Sequence, residues 1–318
     1  MGNTIIHSLE PLTDSQKEVI ANSFGSVSFL SRENIGHEMS EYANVKCLIC
    51  RDRDDIGLML KVCPKLSFLY VVSAGVEKLP FPELRLRGIV VCNAGGVNAE
   101  AMSQYAVAQI LANSTKIREN LLCQQNHHWT KFQCVTDLRS QHLFIAGAGR
   151  SGTLLAKKAK MLGMIVIGAS LPVRQVAFFD EVVSLAEFDQ RINEADYVVC
   201  ALPLTEQTER HFTYDLFCRM KSSACFVNMS RGGLVSMEGL VRALSEKRIH
   251  SATLDVFDEE PIASENALWD VPNLYVTPHM AGRIADFMDE AIRVFCSNYQ
   301  AYLQGAKEPN RIDLENGF

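Results

Sequence analysis

Short apolar runs alternate with longer amphipathic segments along almost the whole chain, the pattern of strands and crossover helices that feed a parallel sheet. In the first third, the runs at 4–8, 27–30, 46–50, 68–72 and 89–92 read as buried strands of one small doubly wound domain. A helical pattern follows over 98–125, where Ala101, Tyr105, Ala108, Leu111 and Ala112 recur near helical spacing. After a polar stretch at 124–140, a second strand series is predicted at 143–146, 165–168, 197–201, 225–228, 252–256 and 275–277. The segment 281–303 is again helical and amphipathic, suited to return and pack on the first domain. The expected fold class is α/β, with two doubly wound parallel-sheet domains.

The length of 318 residues suits two domains rather than one, and the 47% hydrophobic share excludes a disordered chain. A formal net charge of −6 gives no electrostatic footprint for nucleic acid or an anionic membrane surface, so neither partner is expected. No apolar run approaches the length needed to span a bilayer, and the start MGNTIIHSLEPL lacks the basic and apolar regions of a signal peptide. The ten cysteines are unpatterned, with Cys47, Cys50, Cys92, Cys200 and Cys225 inside apolar runs and the others scattered, which fits thiols in a reducing compartment; a cytoplasmic location is expected. Cys47 and Cys50 match C-x-x-C, but they sit in a predicted strand, where positions i and i+3 face opposite sides.

The glycine turn Gly147-Ala148-Gly149-Arg150-Ser151-Gly152 follows a predicted strand and opens a predicted helix over 153–162. In that setting Gly147 permits the tight turn, Gly149 lets a pyrophosphate approach the backbone, and Gly152 permits close helix packing. The amides near Arg150 and Ser151 then meet the phosphates at a helix N-terminus. About 20 residues on, where an acidic residue would accept from a ribose hydroxyl, stands Ser170, with Arg174 close behind. A 2′-phosphate is favoured by that pair, so NADP is the expected cofactor, with NAD as the alternative.

Downstream lie Arg231 in NMSRGGLV, Glu260 in LDVFDEEP and His279 in VTPHMAG, each after a predicted strand. A guanidinium fork can hold a carboxylate through two parallel hydrogen bonds. An imidazole can protonate an oxygen that gains charge when hydride reaches its carbon, and a carboxylate can stabilise the charged imidazole. Together these are the parts for reducing a 2-oxo acid.

These residues, with VVSAGVEKLP, NAGGVNAEAMSQYAVAQILA, GAGRSG and CALPLTEQT, resemble the D-isomer-specific 2-hydroxyacid dehydrogenase family over nearly the whole chain. The resemblance implies a Rossmann cofactor domain, 99–281, inserted in a flavodoxin-like substrate domain, 1–98 and 282–318. It implies Arg231, Glu260 and His279 as the catalytic set, and Gly75 and Val76 as amide donors to the substrate beside Arg231. It implies further cofactor contacts at Met102, Leu202, Pro203, Thr208, Ser230, Asp255 and Gly282, with Asp255 near the nicotinamide carboxamide. Met102 stands where the family usually has valine, and Ser103-Gln104 replaces the usual Ala-Glu.

The activity implied is hydride transfer from NAD(P)H to a glyoxylate- or hydroxypyruvate-type acid, giving the D-2-hydroxy acid, in a homodimer. The alternatives are an NAD-dependent phosphoglycerate-type dehydrogenase and a non-catalytic NAD(H)-sensing corepressor-like protein. Arg51 and Arg53, after the third predicted strand, are candidates to meet a polar or anionic substituent of the substrate. His127, His128 and Trp129 read as interface or surface residues, because no further ligand joins them at metal spacing.

Overall fold

Strand residues that alternate between two apolar faces build both halves of the molecule. The computed structural model describes residues 4–31, 42–131, 134–170 and 172–315. Two compact units divide the chain, Met1–Val97 with Ile284–Phe318 and Asn98–Arg283.

In the first unit, β1 (Thr4–Ser8), β2 (Val27–Ser31), β3 (Cys47–Cys50), β4 (Phe68–Val71) and β5 (Val90–Asn93) form a parallel sheet in the order β2-β1-β3-β4-β5. This is the flavodoxin-like arrangement. The helices α1 (Asp14–Phe24), α2 (Ile56–Val62) and α3 (Phe81–Leu86) make the crossovers from β1 to β2, β3 to β4 and β4 to β5. Leu48, Cys50, Leu69 and Val71 enter one core, whereas Cys47, Ile49, Phe68 and Tyr70 enter the other. Cys47 and Cys50 therefore lie on opposite faces, as the period of two requires. The C-terminal helix Phe287–Leu303 covers the second face with Phe295 and Tyr299, and Tyr70 donates to the Ala291 carbonyl at 2.7 Å.

The second unit holds β6 (His142–Ala146), β7 (Ile165–Ala169), β8 (Glu181–Val183), β9 (Tyr197–Cys200), β10 (Cys225–Asn228), β11 (Ser251–Leu254) and β12 (Leu274–Val276). They pair in parallel in the order β12-β11-β10-β9-β6-β7-β8. Counted from β6, this is the Rossmann order with one added strand, and it reverses between β6 and β9. Its helices are α4 (Ala99–Ser114), α5 (Ile117–Gln125), α6 (Arg150–Met161), α7 (Leu185–Gln190), α8 (Tyr214–Arg219) and α9 (Met237–Ser245). Phe144, Val198, Phe226 and Ala252 pack on one face; Leu143, Ile145, Val199 and Val227 pack on the other. Phe226 is fully buried, with ring centroids 4.8 Å from Phe212 and 5.2 Å from Phe217, so truncation to alanine would cost about 3–5 kcal/mol.

Beyond shifts of one to three residues at element ends, three features differ from the periodicity. The predicted helix over 98–125 is two helices, broken at Thr115-Lys116, where Lys116 takes φ 57. No glycine or proline marks that break, so the apolar spacing runs straight through it. β8 has only three residues, one of them buried, which is too little alternation to register. The last helix begins at Phe287 rather than 281, after a turn in which the Met280 and Ala281 amides donate to the Asp255 side chain. Among the described residues no helix is long and apolar enough to cross a membrane.

Candidate active site

Apart from Met102 on α4, the candidate residues of the second unit follow the C-terminal ends of strands, where open parallel sheets receive ligands. β6 runs into Gly147, whose φ of 116 suits glycine, and a Cβ there would lie 2.4 Å from the Ala201 carbonyl oxygen. The amides of Gly147 and Ala148 both donate to the Ala169 carbonyl, at 3.2 and 2.8 Å, which ties the turn to the end of β7. A Cβ on Gly152 would stand 2.0 Å from the Gly147 carbonyl oxygen, so the first turn of α6 packs directly on the glycine turn.

Gly149 is different, for nothing lies within 4 Å of the Cβ it lacks. Two glycines are demanded by the chain itself, and the third leaves room above the turn. No side chain caps the start of α6, and a helix N-terminus of this kind can receive an anion. A dinucleotide pyrophosphate fits this arrangement, with Arg150 exposed beside it. The Ser151 hydroxyl donates to Met102 Sδ at 3.6 Å, bringing α4 against the same turn.

Ser170, at the end of β7, is half-buried and donates to the Pro172 carbonyl at 2.9 Å. Leu171 lies outside the described residues. Arg174 is exposed, and its guanidinium makes no ion pair or hydrogen bond among the described residues. After β9, Leu202 is buried and its carbonyl accepts from Ser230 Oγ. Thr208 is buried too, donating to the Pro203 carbonyl at 2.7 Å and accepting from the Thr205 amide at 2.9 Å. Its hydroxyl closes this loop on itself. Gly282 packs against Asn98, whose Nδ2 would lie 2.4 Å from an added Cβ.

Arg231 sits on the loop after β10, and Asn228 shapes that loop. Asn228 Nδ2 donates to the Arg231 carbonyl at 2.8 Å, and its Oδ1 accepts from the Ser230 amide at 3.1 Å. Arg231 is half-buried, and its Nη1 donates to the Ser230 carbonyl at 2.8 Å. Gly232 keeps the loop close to the next strand connection, since its missing Cβ would lie 2.1 Å from the Phe257 carbonyl carbon.

Glu260 Oε2 lies 2.7 Å from His279 Nδ1, while Oε1 accepts from the Phe257 amide at 2.9 Å. A carboxylate can only accept, so Nδ1 carries a proton and Nε2 is the ring nitrogen left for chemistry. His279 has φ 50, a left-handed conformation held by its surroundings. Asp255, only 1% exposed, supplies that hold. It accepts from the Thr277 hydroxyl at 2.5 Å, the Met280 amide at 2.9 Å and the Ala281 amide at 2.8 Å. All three hydrogen bonds go to the turn that carries His279. Tyr105, from α4, shares a 2.7 Å hydrogen bond with Thr277. Asn228, Thr277 and Tyr105 were not singled out for the site in the sequence; Tyr105 shows there only as one apolar position of a helix.

In the first unit, the loop after β4 is shaped by Ser73 Oγ, which donates to the Gly75 carbonyl at 2.9 Å, and Asn93 Nδ2, which donates to Ala74 at 2.7 Å. Gly75 and Val76 are buried, and their amides donate to no group among the described residues. Arg51 is half-buried, its Nε 2.7 Å from a Glu10 carboxylate oxygen, and Arg53 is exposed. Among the described residues no group of three or more His, Cys, Asp or Glu could hold a metal ion.

The family model described as D-isomer specific 2-hydroxyacid dehydrogenase, NAD binding domain, matches residues 107–281. A glyoxylate/hydroxypyruvate reductase B of Escherichia fergusonii is 29% identical over 298 residues, covering 90% of each chain. A solved D-isomer specific 2-hydroxyacid dehydrogenase family protein from Aeromonas salmonicida is 26% identical with a TM-score of 0.83, covering 98% of this chain and 99% of that one. Another from Xanthobacter autotrophicus, solved with NADPH and MES, shares the fold with a TM-score of 0.87 at 21% identity, covering 99% of each chain. With that family model matched over more than half its length, this chain belongs to the D-isomer specific 2-hydroxyacid dehydrogenase family of NAD(P)-dependent oxidoreductases.

Proposed function

We infer that the protein reduces a small 2-oxo acid of the glyoxylate or hydroxypyruvate type to its D-2-hydroxy acid, with NADPH preferred. The observation that carries this reading is the 2.7 Å contact between Glu260 and His279, on loops that follow neighbouring strands. Bound NAD(P)H supplies the hydride, which goes to the C2 carbonyl carbon. His279 Nε2 gives its proton to the carbonyl oxygen as charge builds there, and Glu260 stabilises the ring while it is charged. Arg231 grips the substrate carboxylate with its planar fork. In the first unit, the Gly75 and Val76 amides are assigned as further anion donors. The pyrophosphate is assigned to Gly149, Arg150 and Ser151, and the NADPH preference to Ser170 and Arg174.

A homodimer is also proposed. Ile117, Leu121 and Leu122 stand exposed on α5, and Trp129 is 87% exposed beyond it, an apolar surface suited to a second copy; the molecular mass in solution tests this. A cytoplasmic location is proposed on the unpaired, mostly buried thiols.

The test is oxidation of NADPH and NADH by purified protein against a panel of 2-oxo acids. Turnover of glyoxylate or hydroxypyruvate is expected. His279→Ala should lose about 10²- to 10⁴-fold in kcat while NADPH still binds. Turnover of 3-phosphoglycerate with NAD alone, or no turnover at all, would overturn the reading.

A further inference from the structure

Thr277 stands between Tyr105, at 2.7 Å, and Asp255, at 2.5 Å. Since a carboxylate only accepts, Thr277 must donate to Asp255, and its oxygen is left to accept the Tyr105 proton. Burial pushes the Tyr105 phenol up to about 12, so it remains a donor across the neutral range. Asp255 also receives the Met280 and Ala281 amides, and the His279 amide donates to the Thr277 carbonyl at 3.0 Å. Both sides of the turn that carries His279 thus converge on one buried carboxylate. One helical turn before Tyr105, Met102 meets Ser151 at the glycine turn.

We propose that Tyr105 is a positioning residue: through Thr277 it orients Asp255, and α4 thereby couples the glycine turn to the loop that aims His279. The proposal rests on the reading of His279 as the proton donor. Nothing in the hydrophobic spacing of α4 requires a hydroxyl at 105, and phenylalanine would keep the same packing.

Tyr105→Phe, Thr277→Val, Thr277→Ser and the double variant Tyr105→Phe/Thr277→Val test it, read by steady-state kinetics with NADPH and by amide hydrogen exchange of the cofactor-free protein. Loss of one neutral hydrogen bond predicts a fall of about fivefold to tenfold in kcat for Tyr105→Phe, with KM for NADPH little changed. The Met280 and Ala281 amides should exchange faster in the same variant. Thr277→Val should fall further, Thr277→Ser should recover most of the activity, and the double variant should be no worse than Thr277→Val alone. Unchanged exchange at Met280 and Ala281 in Tyr105→Phe would overturn the proposal, as would losses that multiply in the double variant. If the parent turned over no 2-oxo acid, the reading of His279 would fall, while the exchange rates would still decide whether Tyr105 holds this turn.

Discussion

Replacing Glu260 with glutamine removes one charge and forces two donors together. In the parent, Oε1 accepts from the Phe257 amide at 2.9 Å and Oε2 faces His279 Nδ1 at 2.7 Å. In the variant one of those positions becomes an NH2 group. If the amide oxygen stays with Phe257, the NH2 faces a protonated Nδ1; if it turns to His279, the NH2 faces the Phe257 N–H. Only the neutral ring with Nδ1 unprotonated relieves the first clash, and a ring held in that form is a poor proton donor. A hydrogen bond involving a charged group contributes about 1.5–3 kcal/mol. The His279 side chain is 50% exposed and that of Glu260 32%, so solvent screening points to the lower end. About 1.5 kcal/mol corresponds to roughly a tenfold fall in kcat. The assay is reduction of the best 2-oxo acid under saturating NADPH, with thermal melting as a control that the fold is unchanged. A kcat within about twofold of the parent, at unchanged melting temperature, would refute the reasoning.

Ser170→Asp combined with Arg174→Ala should turn cofactor preference toward NADH, because the new carboxylate repels a 2′-phosphate and accepts from a ribose hydroxyl. A parent that already uses both cofactors equally in kcat/KM would contradict the assignment. Gly152→Ala places a Cβ 2.0 Å from the Gly147 carbonyl, so the glycine turn must shift; a loss of about 1–3 kcal/mol in stability and weaker NADPH binding are expected by melting and fluorescence titration. Unaltered affinity would argue against that packing. Burial holds the His7 ring below the usual 6.5, so the unfolded chain takes up its proton at a higher pH than the fold does. His7 therefore contributes its full stability above about pH 6.5 and loses it as the pH falls further, so His7→Asn should lose less melting temperature than the parent between about pH 7.5 and 5.5. Equal losses would remove His7 from that dependence.

Much of the architecture could be read from alternation, because strands buried on both faces leave short apolar runs such as Leu143–Ala146 that little else produces. β8 escaped because Glu181 and Val182 are not buried, and the break at Lys116 escaped because a single left-handed residue leaves no mark on helical spacing. In the site, Glu260 and His279 announce themselves as chemistry-bearing residues after neighbouring strands, and the structure brings them into contact. The contact of Tyr105 with Thr277 spans 172 positions, and no local pattern encodes a partner at that distance. Thr208 and Asp255 carry polar groups in family motifs; burial turns the Thr208 hydroxyl onto its own loop and ties Asp255 to the turn after β12. Arg51 follows a strand, and its ion pair with Glu10 bridges 41 positions that no local pattern links. In each case the missing information is a tertiary partner.

The central claim is stereospecific reduction at C2, and the configuration of the product tests it most directly. Incubation of the purified protein with hydroxypyruvate and NADPH, followed by chiral separation of the glycerate formed, should give the D enantiomer in an amount equal to the NADPH consumed. L-glycerate, a mixture of both enantiomers, or no glycerate at all would contradict the account.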